Sequence, residues 1–152
     1  MQRGMAIREW VLVGAALSCW GCGATTAEEI EEHRQEWLAK QPQAYVIEIC
    51  GTGLDCCCEL SAVSAGEVTA ARTAFRGQPF QDVAPGQVEP VNALFDRAVS
   101  AARADSCELS GLSFDATYSY VSQYSVDCGE EGGGEKVACF KPNTVDLSEC
   151  AE

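Results

Sequence analysis

The placement of cysteine is the feature that most constrains how this chain folds. Ten of the 152 residues are cysteine, and the segment "GTGLDCCCELS" places three of them side by side at 56–58, shortly after Cys50. Neighbouring side chains of an extended strand point to opposite faces, so three adjacent cysteines are poorly arranged to bind one tetrahedral metal ion. Each can reach a separate partner, and we therefore expect a framework of disulfide bonds.

A bond between two sequence neighbours would strain the peptide, so each member of the cluster is expected to pair at a distance. We predict that Cys50 pairs within the cluster and that Cys139 or Cys150 ties the C-terminal tail back to the domain. Many other connectivities among eight cysteines remain compatible with the spacing. The candidates are Cys50, Cys56, Cys57, Cys58, Cys107, Cys128, Cys139 and Cys150.

The spacing of the thiols argues against a metal or redox centre. Zinc sites and thioredoxin-like sites commonly use a CxxC motif, and beyond residue 22 the sequence has none. The lone histidine, His33, lies in a polar run of a predicted helix, where we expect a solvated side chain. We predict no metal site and no cofactor, and we keep metal handling through thiolates and carboxylates as the alternative function.

The first 21 residues have the pattern of a secretory signal peptide. Two arginines precede an apolar run from Trp10 to Leu17, which is too short to span a bilayer, and small residues and cysteines follow. The cysteines favour a lipoprotein signal, in which the cleaved chain begins with a lipid-bearing cysteine. The upstream residues favour Cys19, whereas an even number of remaining cysteines favours Cys22. We expect a signal peptide at 1–21, a tether at 22–25 and one domain at 26–152.

Export and charge together limit the expected partners. Disulfides persist in oxidising compartments, so we expect a bacterial cell-envelope lipoprotein on the periplasmic or surface side. The net charge of −13 would repel nucleic acid and anionic membrane surfaces. The expected partners are the membrane, through the N-terminal lipid, and a protein or small ligand.

Two segments have helical signals. Residues 26–40 begin with Thr26 and Glu29 in the arrangement of a capping box, place Ile30, Trp37 and Leu38 on one face, and end before Pro42. Residues 91–104 have apolar side chains at helical spacing along one face. Both segments are therefore predicted to pack against a sheet.

The remaining segments are predicted to be strands and loops. Strands are predicted at 43–50, in a hairpin over 59–75 that turns at 65–67, in a pair within 107–128 that turns at 116–119, and in a short piece at 136–140. Residues 76–90 and 129–135 are predicted loops. We expect an α+β domain with an antiparallel sheet of about five to six strands and two helices packed on one face, reinforced by disulfides.

The residues available for catalysis indicate a protein that is not an enzyme. With a single histidine, neither a Ser-His-Asp nor a Cys-His set can be assembled, and the glycine runs at 51–53 and 132–134 lack the context of a phosphate-binding loop. Tyrosines and acids near the last predicted hairpin would suit a recognition surface, because tyrosine is a frequent interface anchor. The alternative is an ordinary strand with half-buried tyrosines. The candidates are Asp115, Tyr118, Tyr120, Tyr124 and Asp127.

Several short motifs follow one another between residues 34 and 147. They are "WLAKQPQAYVIEI", the Cys-x-Cys of Cys56 and Cys58, "GEV" at 66–68, "LFDRAVSAA" at 94–102 and "FDATYSYVSQYSVD" at 114–127. In this order they resemble a bacterial domain of unknown function, the family numbered 6174 among such domains, which occurs in exported proteins and lipoproteins. The resemblance implies the fold and the export, and it supplies no catalytic residue.

The last motif resembles the Tyr-Asp-Pro…Gly-Tyr-Pro…Ile…Asp segment of that family. Phe114 and Asp115 stand at the Tyr-Asp positions, Tyr120 at the later Tyr and Asp127 at the closing Asp. Three positions depart from the pattern and imply a different turn: Ala116, Ser119 and Val121 replace Pro, Gly and Pro.

Overall fold

The computed structural model describes residues 26–53, 57–75, 77–129 and 132–151. The predicted signal peptide and tether, with both candidate lipid-bearing cysteines, lie outside these residues, and so does Cys56. Within the described ranges, none of the helices has both the length and the apolar character that a membrane span requires.

The described residues form an α+β fold with two helices and a seven-stranded antiparallel sheet. The sheet order is β4-β3-β2-β1-β7-β6-β5. The fold class is confirmed, whereas the predicted number of strands was too low. The elements are α1 (Thr26–Lys40), β1 (Ala44–Gly51), β2 (Cys57–Ser64), β3 (Glu67–Phe75), β4 (Gln81–Val83), α2 (Pro90–Arg103), β5 (Glu108–Phe114), β6 (Val121–Asp127) and β7 (Gly132–Pro142), followed by a 3₁₀ turn at Leu147–Glu149.

Two predicted loops contain strands. Residues 129–135 were predicted as a loop and 136–140 as a short strand, but β7 is 11 residues long and pairs with β1 on one side and β6 on the other. Three glycines at its start concealed it, because glycine is uncommon in strands. The predicted loop at 76–90 contains β4, which forms the edge of the sheet beside β3.

Both helices cover the same face of the sheet. The side chain of Glu89 caps α2 by accepting hydrogen bonds from the backbone N–H groups of Val91 and Asn92, at 3.0 and 2.7 Å. Trp37 of α1 is fully buried and makes edge-on contacts with the rings of Tyr45 and Tyr120. The predicted stripe of α1 was wrong at one position: Leu38 is 43 % exposed, and Ala27 is buried instead.

The opposite face of the sheet carries a smaller core. Val46, Leu60 and Ala62 pack there against Leu147 and Cys150 from the C-terminal tail. Alternation along β1 explains the division, because Tyr45, Ile47 and Ile49 belong to the helix-side core. Of the described residues, those of the C-terminal tail cover this face in place of a helix.

Three disulfides join six of the candidate cysteines. Cys50–Cys58 links β1 to β2, Cys107–Cys128 closes the β5–β6 hairpin, and Cys139–Cys150 ties the tail to β7. The predicted pairing of Cys50 within the cluster and the predicted anchoring of the tail are both confirmed. Each bond typically contributes ~2–4 kcal/mol to the free energy of unfolding. Among the described cysteines, Cys57 is free and exposed.

We predict that Gly134→Ala destabilises the domain by about 1–3 kcal/mol, because an overpacked site forces the backbone to shift. A Cβ at this position would lie 2.8 Å from the Cα of Ser125 on the paired strand β6 and would also clash with the carbonyl oxygen of Tyr124. Urea unfolding of the oxidised protein measures the effect.

Gly133→Ala is the matched control, since a Cβ at Gly133 has no atom within 4 Å. Its free energy of unfolding should stay within about 0.5 kcal/mol of the wild-type value. Equal stability of the two variants would contradict the β6–β7 register.

Candidate functional site

A cleft of about 600 Å³ opens on the helix side of the sheet, where β1 ends and β2 and β7 begin. Its volume is typical of small-ligand sites, which occupy about 300–1,000 Å³. The ends of these three strands form one side, and the first turns of α2 with residues 86–88 form the other.

Glycine forms much of the cleft surface. Gly51, Gly53, Gly133 and Gly134 supply the strand side, and Gly86 belongs to the facing loop. At Gly134 the close approach of β6 leaves no room for a Cβ. Because glycine has no side chain, a bound molecule can approach the backbone closely here.

An ion pair lines the cleft. Arg97 of α2 donates through Nε to Oε2 of Glu135 on β7 at 2.7 Å, and the hydroxyl of Tyr124 donates to the same oxygen at 2.6 Å. Burial tends to lower the pKa of Arg97, but the hydrogen bond and charge of Glu135 outweigh it and raise the pKa overall. Burial, then Glu135, raises the pKa of Tyr124. The guanidinium therefore stays charged and the phenol neutral.

Arg97 and Glu135 were not predicted as site residues from the sequence. Arg97 lies on a helix that was recognised for its apolar face, and Glu135 lies in the segment predicted as a loop. Their separation of 38 residues gives no local signal of contact. The available signal was the two glycine runs at 51–53 and 132–134, which the fold brings to the same cleft.

Strand β2 places alternate side chains in the cleft. Cys57 and Glu59 both line it, and Val88 from the facing loop adds an apolar contact surface that is 59 % exposed. Cys57 thus offers a free thiol at the mouth of the cleft. Its neighbour Cys58 faces the other side of the sheet, as expected from the alternation of a strand.

A second cluster lies on that opposite face. The ligand atoms of Glu48, Cys50 and Cys58 all lie within 4.8 Å of one another, and Oε1 of Glu48 is 3.4 Å from Sγ of Cys50. Burial raises the pKa of the Glu48 carboxyl, and the charge of Lys136 partly offsets this effect. The two sulfurs are joined in a disulfide. The absence of a metal site stays a prediction.

The expectation of a solvated His33 was wrong. Its ring is half-buried and stacks on Phe114 of β5, with the ring centroids 3.6 Å apart. The helix face that carries His33 is polar in sequence, but it reaches over the edge of the sheet. Among the described residues, His33 does not belong to a metal-ligand cluster.

The five residues proposed as a recognition surface do not share one exposed face. Tyr120 and Tyr124 are each 6 % exposed and belong to the helix-side core, and Tyr118 is half-buried against it. Asp115 accepts hydrogen bonds from the N–H groups of residues 117 and 118, and Asp127 from that of residue 129. These contacts agree with the alternative, an ordinary strand with buried tyrosines between two capped turns.

No protein-family model matches the chain, and a search of curated proteins finds no match either. Membership of family 6174 stays a prediction from the order of the motifs. The assignment of the candidate sites therefore rests on the geometry of the described residues.

Proposed function

We propose that this protein is an exported cell-envelope lipoprotein whose domain binds a small ligand in the cleft beside α2. The observation that carries the proposal is the glycine surface of the cleft. Membership of family 6174, whose members include exported proteins and lipoproteins, is part of the same proposal. The proposal assigns binding to the domain and no catalytic step.

The fold does not require glycine at several cleft positions. A Cβ at Gly53 or Gly86 would meet its nearest neighbour at 3.9 Å, an ordinary contact, and a Cβ at Gly133 would meet nothing within 4 Å. These three glycines also lack the positive φ angles that favour glycine. A structural need explains Gly134 but not Gly53, Gly86 or Gly133, and an open ligand site would explain these three.

The charge of the cleft favours a neutral or cationic ligand. Among the described residues that line it, the charged side chains are the carboxylates of Glu59 and Glu135 and the guanidinium of Arg97. Arg97 and Glu135 neutralise each other, so Glu59 leaves a net negative charge. The net charge of −13 on the whole chain adds to the repulsion of anions.

The disulfides support export, because three structural bonds are compatible with folding in an oxidising compartment. In the proposal a signal peptide precedes residue 22, and a lipid on Cys22 or Cys19 holds the domain at the membrane. The domain begins with α1 at Thr26, so only a few residues would separate it from the lipid.

A second candidate function is metal handling through thiolates and carboxylates. The observation in its favour is the cluster of Glu48, Cys50 and Cys58. It is independent of the cleft because it lies on the opposite face of the sheet.

We predict that the protein expressed in a bacterial host incorporates a fatty-acid label and partitions with membranes. Cys22→Ala should abolish both properties if Cys22 bears the lipid, and Cys19→Ala should do so if Cys19 bears it. Cys57→Ala is the control and should leave both unchanged. Retention of the label in the double variant Cys19→Ala/Cys22→Ala would contradict the lipoprotein proposal.

We predict that Gly133→Leu abolishes ligand binding while the domain stays folded, since the new side chain would occupy open space in the cleft. Native mass spectrometry of protein released gently from the envelope would detect the bound ligand. The bound ligand should also slow alkylation of Cys57, because that thiol lines the same cleft.

Arg34→Ala provides a matched control for Arg97→Ala. Both arginines form ion pairs of 2.7 Å that involve α2, but Arg34 pairs with Asp96 outside the cleft. Arg97→Ala leaves Glu135 without its counter-ion in the cleft and should change the affinity for the ligand, whereas Arg34→Ala should leave the affinity unchanged. Binding in the cleft would be refuted if Gly133→Leu retained as much bound ligand as the wild type. It would also be refuted if the bound ligand left the alkylation rate of Cys57 unchanged.

A further inference from the structure

We propose that Glu48, Cys50 and Cys58 form a redox-gated binding site for a thiophilic divalent cation of the Zn²⁺ class. The disulfide closes the site, and reduction opens it. This inference goes beyond ligand binding in the cleft and specifies the second candidate function, because it names the ligands, the cation class and the condition for binding.

The sheet holds the three groups together whatever the redox state of the sulfurs. Cys50 and Cys58 are direct partners in the β1–β2 register, and their Cα atoms are 4.1 Å apart. Glu48 lies two residues before Cys50 and therefore on the same face of β1. Backbone pairing along seven positions of β1 and β2 fixes this geometry, so it does not depend on the disulfide alone.

The environment of Glu48 suits a ligand better than a structural carboxylate. Its one hydrogen-bond contact among the described residues is with Sγ of Cys50. In the disulfide that sulfur carries no hydrogen, so the half-buried carboxyl has no donor there. The carboxyl is only half-buried, so one of its oxygens is available to a cation held beside the two sulfurs.

Lys136 places a positive charge close to the three proposed ligands. It is the register partner of Cys50 on β7, and its charge acts on Glu48. Two thiolates and a carboxylate around a divalent cation carry a net charge of −1, and the ammonium of Lys136 lies beside it. The exposed amine balances this net charge.

The opening reaction is a thiol–disulfide exchange with a protein dithiol as reductant. The dithiol breaks the Cys50–Cys58 bond and becomes a disulfide, and the two electrons it loses leave two thiols on this chain. Cation binding then releases both thiol protons to solvent, and the lone pairs of the two thiolates form the metal–sulfur bonds. No other oxidant or reductant is required.

The ligand set selects the cation. Thiolates favour Zn²⁺ and similar soft or borderline ions over Mg²⁺ and Ca²⁺, which prefer sites made of oxygen atoms. Three protein ligands leave one position of a tetrahedron for water, an arrangement found in open zinc sites. Both Cys50 and Cys58 can approach from one side, because they face the same side of the sheet as Glu48.

The experiment measures how Zn²⁺ changes the reduced fraction of each disulfide in the native mature protein. Free thiols are first alkylated, the protein is equilibrated in a glutathione redox buffer, and newly exposed thiols are identified by peptide mass spectrometry. With Zn²⁺ at about ten times its dissociation constant for the reduced site, the ratio of reduced to oxidised Cys50–Cys58 should rise about tenfold. The Cys107–Cys128 bond is an internal control and should not respond, and Mg²⁺ should have no effect.

Glu48→Gln should reduce the response of Cys50–Cys58 to Zn²⁺, whereas Glu67→Gln, an exposed carboxylate at the start of β3, should preserve it. The wild-type measurement decides the proposal even if a variant fails to fold. An unchanged ratio at Cys50–Cys58, an equal response at Cys107–Cys128, or a full response in a folded Glu48→Gln variant would overturn it. Gly133→Leu should keep the Zn²⁺ response, so failure of this proposal and failure of the cleft proposal are distinguishable.

Discussion

Strand β1 determines how the two faces of this sheet are covered. It pairs with β2 and β7, and its alternating side chains place Tyr45 and Ile47 under the helices and Val46 on the other face. Among the described residues, the helix side buries a large core, whereas the other side has a few apolar residues and the C-terminal tail. A small apolar face contributes little free energy of burial. The disulfides Cys50–Cys58 and Cys139–Cys150 reinforce that weaker face.

The same alternation separates the two proposed activities. At the end of β1, Ile49 lines the glycine-rich cleft beside α2, and the adjacent Cys50 belongs to the sulfur cluster on the reverse face. A ligand in the cleft and a cation at Glu48 would therefore occupy opposite sides of one strand. Cys57 and Cys58 repeat this division on β2, so the consecutive cysteines serve different surfaces. This arrangement gives the run of three cysteines a physical explanation at the two positions that the structure describes.

Local signals made much of the fold predictable from the sequence. Capping residues, helical spacing and Pro42 located both helices, and alternation located β1 and the hairpin of β2 and β3. The first part of β7, before the predicted strand at 136–140, was missed because its pairing with β1 and β6 compensates for three glycines, a tertiary effect that propensity does not contain. The cleft depends on contacts between distant segments, such as Arg97 with Glu135. His33 was misplaced for the same reason, since only the folded chain brings it to Phe114.

The central claim is that bonded sulfurs brace a sheet whose second face, within the described part of the chain, is covered by the C-terminal tail and not by a helix. Disulfide mapping of the native protein, purified under non-reducing conditions with free thiols alkylated, tests it most directly. We expect crosslinked peptides that join Cys50 to Cys58, Cys107 to Cys128 and Cys139 to Cys150, with fragment ions that place an alkyl group on Cys57. Alkylation of all these cysteines, or a bond from Cys50 to a residue outside β2, would contradict the account.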